Sequence, residues 1–140
     1  MGSWSELDAN YPPGTLTPAT ALVVALGHLA GATSAYAEGR LAPFLPAGIG
    51  YDADLLRRVE RYLSEVPLDQ FLAEASALLS RGQKLVLALQ LLDCQLAAGD
   101  PPGQRGLVEQ LIAGLGVDAD LLAAHRATLA LKNDLSLFPQ

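Results

Sequence analysis

Gly48-Ile49-Gly50-Tyr51-Asp52-Ala53-Asp54-Leu55-Leu56 returns 66 residues later as Gly114-Leu115-Gly116-Val117-Asp118-Ala119-Asp120-Leu121-Leu122. Each copy reads as a corner between two helices. A glycine ends the first helix in a left-handed turn, an aspartate accepts from the free N–H groups that open the next, and a second aspartate favours that helix's positive end. Two Asp-x-Asp elements would also offer oxygens to a divalent cation. A helix corner requires the same residue types without a ligand, and the structural reading is preferred. The 66-residue offset extends outward, pairing Leu41 with Leu107, Leu45 with Leu111, Ala47 with Ala113, Leu63 with Leu129 and Leu26 with Leu92. The chain therefore reads as two quasi-repeated three-helix units joined by a linking helix from Pro67 to Leu79.

Working outward gives about seven helices. Thr17-Pro18 starts the first, with a hydroxyl cap followed by proline at the first helical position. It runs to about Gly31 and is apolar on nearly every face, as expected of a central, surrounded helix. Ser34 to Ala42 forms a short second helix. Asp52 opens a third, with Leu55, Leu56, Val59, Tyr62 and Leu63 opposite Arg57, Arg58, Glu60, Arg61 and Glu65. Pro67 starts the linking helix. Ser80 caps a fifth that ends at Gly99, Asp100 caps a sixth that Gly114 and Gly116 end, and Asp118 caps a seventh that runs to about Lys132. No segment alternates with period two, so the fold class is all-α. Residues 1–16 read as a loosely held arm, 17–134 as one domain and 135–140 as a tail.

Composition sets the outer bounds. The 140 residues are 51% hydrophobic and 17% charged, with net charge −6 and a pI near 4.7. That length supports a core, and the low charge argues against disorder. The nine basic residues are scattered, the wrong pattern for a phosphate backbone, so no nucleic-acid partner is expected. The N-terminus lacks the basic and apolar regions of a signal peptide. The apolar runs Ala21 to Gly27 and Leu85 to Leu89 are far short of the ~20 residues of a membrane span. A cytoplasmic location is the expectation.

Candidate chemistry is sparse. His28 and His125 lack a metal-ligand spacing partner, and partial burial with a local hydrogen bond is expected of them. Cys94, the only cysteine, reads as a small buried hydrophobe. Asp93 stands in an apolar helix, where a charge needs a partner. Lys84 and Arg81, two to three turns earlier, and Lys132 as a tertiary partner are the candidates, and a structural ion pair or an exposed position is preferred to catalysis. An alternative is a divalent-metal or small-ligand binding domain centred on Asp93 and Asp100, joined by Glu109 or Glu38, with any cation weakly held.

Leu91-Leu92-Asp93-Cys94-Gln95-Leu96-Ala97-Ala98-Gly99-Asp100, a helix with Leu107, Glu109 and Leu111, and then Leu115-Gly116-Val117-Asp118 together resemble the tellurite-resistance TerB-like proteins. Lys132-Asn133 is similar to the end of some members. The resemblance covers most of residues 17–134, and is close only in the second copy. The family's loop aspartate is Ala98 here, Gly103-Gln104-Arg105 replaces a glutamate pair, and Ala30-Gly31-Ala32-Thr33 lacks the motif. The resemblance implies a TerB-like helical fold and a non-enzymatic module in a bacterial stress or metal-resistance setting. Such a module would act by protein contact or as a scaffold, and a homodimer contact is among the expectations.

Overall fold

The structure, a computed structural model, describes residues 16–33, 53–97, 99, 102–134 and 136. Among these it is all helical: α1 (Pro18–Thr33), α2 (Ala53–Glu65), α3 (Leu68–Leu78), α4 (Arg81–Ala97), α5 (Pro102–Leu115) and α6 (Ala119–Lys132). The helix expected over Ser34 to Ala42, the cap residues Asp52 and Asp100, and the N-terminal arm up to residue 15 lie outside the described residues.

Helix boundaries follow the local chemistry. Thr17 and Thr20 close a reciprocal box at the head of α1. The Thr20 N–H donates to Thr17 Oγ1 at 3.2 Å and the Thr17 N–H donates to Thr20 Oγ1 at 2.8 Å. Pro18 then occupies the first turn, where its missing N–H costs no bond. Ser80 and Gln83 repeat the device at α4, with the Gln83 N–H to Ser80 Oγ at 3.1 Å and the Ser80 N–H to Gln83 Oε1 at 2.9 Å. Such a box satisfies donors that the helix itself leaves open. Asp118 accepts from the N–H groups of Asp120 and Leu121 at 3.0 and 3.1 Å, which makes it the cap of α6. Gly99 and Gly116 follow the ends of α4 and α5 at φ +86° and +71°, a region other residues enter at a cost.

Gly114 departs from the expectation. It lies within α5, and a Cβ built there would stand 2.7 Å from Leu72 Cδ1. Its role is close approach of α3 and α5, and the helix ends at Gly116 alone.

Helix α1 occupies the centre, packed against α2, α3, α4 and α5. Ala21, Val23, Val24, Ala25, Leu26 and Leu29 are all buried, which explains why the helix carries so little polar contrast. Among the described residues, Phe71 of α3 is the bulkiest fully buried side chain. The Tyr62 ring meets it edge-on at 6.1 Å and the His28 ring lies 5.6 Å away. Leu55 and Val59 of α2, Leu91 and Leu92 of α4, and Leu111 and Leu115 of α5 complete the core. Helix α6 contributes only Leu122 as a buried side chain.

Candidate functional site

Asp93 sits on α4 with its side chain only 16% exposed. Lys132 Nζ donates to its Oδ2 at 2.7 Å and Asn133 Nδ2 donates to its Oδ1 at 2.9 Å. The same Asn133 amide donates to the Leu129 carbonyl at 2.9 Å, tying the carboxylate to the last turn of α6. Burial pushes the Asp93 carboxyl upward, but the bonds from Asn133 and Lys132 and the ammonium charge outweigh it, and the group is held below the usual carboxylate range. An apolar helix thus keeps a charge by pairing it. Of the three cations the sequence offers, Lys132 is the one paired with Asp93, while Arg81 bonds Asp118.

At the other end of these helices, Arg81 donates to Asp118, the cap of α6. The start of α4 therefore meets the start of α6, and Asp93 near the end of α4 meets Lys132 at the end of α6. The two helices run in the same direction in direct contact, joined in the chain by α5. Their aligned dipoles repel weakly, and a charged clip stands at each end.

Glu109 lies on α5 and accepts from Arg126 Nη2 of α6 at 2.9 Å. This pair borders a groove of about 290 Å³, whose apolar lining includes Leu92 and Leu96 of α4 and Leu129 and Ala130 of α6. Both α5 and α6 rest on α4, so α4 forms the floor and the Glu109–Arg126 pair ties the walls. Asp93 and Glu109 are thus engaged by different cationic partners, and Asp100 lies outside the described residues. Among the described residues, no group of three or more His, Cys, Asp and Glu side chains is arranged to hold a metal ion.

Cys94 and His28 lie within the packing. Cys94 is buried, and burial, with a smaller push from the Asp93 charge, raises its thiol to about 12, far from the thiolate a nucleophile needs. His28 is half-buried, and burial lowers its pKa. Its Nε2 has no hydrogen-bond partner among the described residues. His125 is exposed. A second, shallower groove of about 560 Å³ lies between Leu16, Tyr62, Val66 and Leu78. There the Tyr62 hydroxyl donates to Glu74, and burial together with that carboxylate raises the phenol pKa.

Sequence reasoning missed the cross-helix roles of Arg81, Arg126 and Asn133, and also the outer face of α6. There Leu121 is 41% exposed and Leu131 63% exposed, with Ala123, Ala124, Ala127, Thr128 and Ala130 exposed beside them. The signal lay in the contrast with α2, which shows Arg57, Glu60, Arg61, Ser64 and Glu65 to solvent. The positions 66 residues on are Ala123, Arg126, Ala127, Ala130 and Leu131. No helix among the described residues is long and apolar enough to cross a membrane. The chain matches no protein-family model, no curated protein and no solved structure.

Proposed function

We propose that this chain is a TerB-like helical module, built as two three-helix units, that works through contacts with other proteins as a partner or scaffold and not by catalysis. The observation that carries the reading is a division of labour. The side chains best suited to chemistry are committed to holding helices together, while apolar surface is left outside on α6. Asp93 is tied to Lys132 and Asn133, Glu109 to Arg126, and Cys94 is a buried, protonated thiol. The outer face of α6 and the groove beside it are the surfaces a partner would take up.

The two-unit architecture has support in the packing. Helix α2 begins at Ala53 and α6 at Ala119, 66 residues apart, and α1 lies on α2 as α4 lies on α6. In the first unit Gly27 approaches Leu63, whose Cδ1 would stand 2.7 Å from an added Cβ. The matching positions are Asp93 and Leu129, which Asn133 joins by bonding both. Equivalent positions are neighbours in both units, with a glycine and leucine in one place and a charged clip in the other. The bacterial stress setting rests on the TerB-like resemblance of residues 91–100 and 115–118. A cytoplasmic location and the absence of a nucleic-acid partner rest on the sequence reading alone.

Thermal melts in Ca²⁺, Mg²⁺ and Zn²⁺ separate this reading from a metal-binding domain built on Asp93, Asp100 and Glu109. The reading expects no metal-dependent change. A rise of about 2.7 kcal/mol in stability at 100-fold excess over the dissociation constant, lost in Asp93→Ala, would replace it with the metal-binding function.

A further inference from the structure

The uncovered face of α6 has an internal order that points to a particular occupant. Leu121, Ala124, Thr128 and Leu131 are all exposed and recur at spacings of three, four and three, the seam of a helix that packs against another helix. They lie opposite Leu122, Arg126 and Leu129, which face the rest of the fold. A 3-4-3 spacing reads the same in both directions, so two copies laid antiparallel match seam to seam. Leu121 of one copy then meets Leu131 of the other, and Ala124 meets Thr128.

The charges agree with that arrangement. Asp120 stands in the first turn of α6 and Lys132 in the last, immediately outside the two leucines. Antiparallel pairing in the same register brings Asp120 of each copy beside Lys132 of the other, and it opposes the two helix dipoles. Lys132 already bonds Asp93 at 2.7 Å, and an ammonium has three donors. Between the ends the face carries Ala124, Ala127 and Thr128, side chains small enough to admit close helix approach.

Resting on the protein-contact reading, we propose that the outer face of α6 is a self-association surface, whose occupant is α6 of a second copy of this chain packed antiparallel across a two-fold axis. A helix of 14 residues is about 21 Å long. One such pair buries less than the ~1,600 Å² of a standard interface, so the dimer is weak and reversible.

Sedimentation velocity on the full chain tests this, over roughly 10 μM to 1 mM, a range suited to an interface below standard size. The expected result is a mass that climbs from 14.7 kDa toward twice that value. Leu131→Glu should weaken association at least about tenfold, the equivalent of one lost buried leucine contact, with an unchanged far-UV spectrum and melt. Register is read separately by mixing Leu121→Cys and Leu131→Cys chains under oxidation, Cys94 being buried. Disulfide dimers are expected in the mixture. Neither variant alone should form them, since like positions lie about 15 Å apart along the axis.

A chain that stays at monomer mass throughout overturns the proposal, as does a dimer indifferent to Leu131→Glu. Cross-linking in the native host distinguishes the deeper failure. A chain monomeric in isolation that gives α6 adducts with a different protein overturns the second copy as occupant and keeps the protein-contact reading. A monomer without any protein adduct overturns both.

Discussion

Asp93→Ala isolates what the clip between α4 and α6 contributes. The carboxylate accepts one bond from Lys132 and one from Asn133, and hydrogen bonds to a charged group are worth ~1.5–3 kcal/mol when partly buried. Two factors reduce the net effect. Removing the charge also removes its burial penalty, and the Lys132 side chain is 61% exposed, so its ammonium returns to water with little loss. Asn133 keeps its bond to the Leu129 carbonyl. The expected cost at pH 7 is therefore about 1–2 kcal/mol, a melting-temperature drop of roughly 3–10 °C for a chain of this size.

The pH dependence has a fixed sign. Because the folded-state pKa of Asp93 lies below its ordinary value, the stabilisation is complete above the unfolded pKa of about 3.9. It is lost as pH falls through the folded value. Urea unfolding followed by far-UV circular dichroism at pH 7, 5 and 3 should show the gap between wild type and Asp93→Ala holding between pH 7 and 5 and narrowing at pH 3. The double variant with Lys132→Met should cost less than the two singles together by ~0.5 kcal/mol or more. A cost below about 0.3 kcal/mol at pH 7, or a gap that widens in acid, would refute the reasoning.

Three further outcomes follow from the same geometry. Gly106→Ala, with nothing within 4 Å of the added Cβ, should stabilise α5 by about 0.5–1 kcal/mol. Gly114→Ala in the same helix should forfeit that gain against Leu72, and urea unfolding of the pair reads the difference. Ser80→Ala removes one arm of the box with Gln83 and should cost about 1 kcal/mol in thermal or urea unfolding. Cys94 should resist aromatic disulfide reagents at pH 8 until denaturant is added, because its thiol is buried and raised to about 12.

What the sequence revealed was mostly local. Thr17-Pro18, Ser80, Gly99, Gly116 and Asp118 act within three or four residues of themselves, and each marks a helix end found in the structure. Asp93 was legible for a different reason: a charge among leucines needs a partner, although Arg81, Lys84 and Lys132 were all on offer. Arg81–Asp118 and Glu109–Arg126 span 37 and 17 residues, and local periodicity carries no information about which helices become neighbours. Gly114 and Gly116 look alike in the chain, but one admits Leu72 and the other takes a left-handed backbone. The 66-residue sequence match also misleads about burial. Leu55 is buried, while its counterpart Leu121 is 41% exposed, since α2 and α6 rest on their neighbours by different faces. That difference leaves the apolar side of α6 outside.

The claim that this apolar side meets protein partners is tested most directly by a photo-reactive side chain placed at Leu131 and, as a control, at Arg57 on the charged face of α2. Both positions are exposed, and the two chains would be expressed at native level in the source cells and irradiated. Protein adducts from position 131, with few from position 57, are the predicted result. Equal yields from the two positions, or none from position 131, would contradict the account.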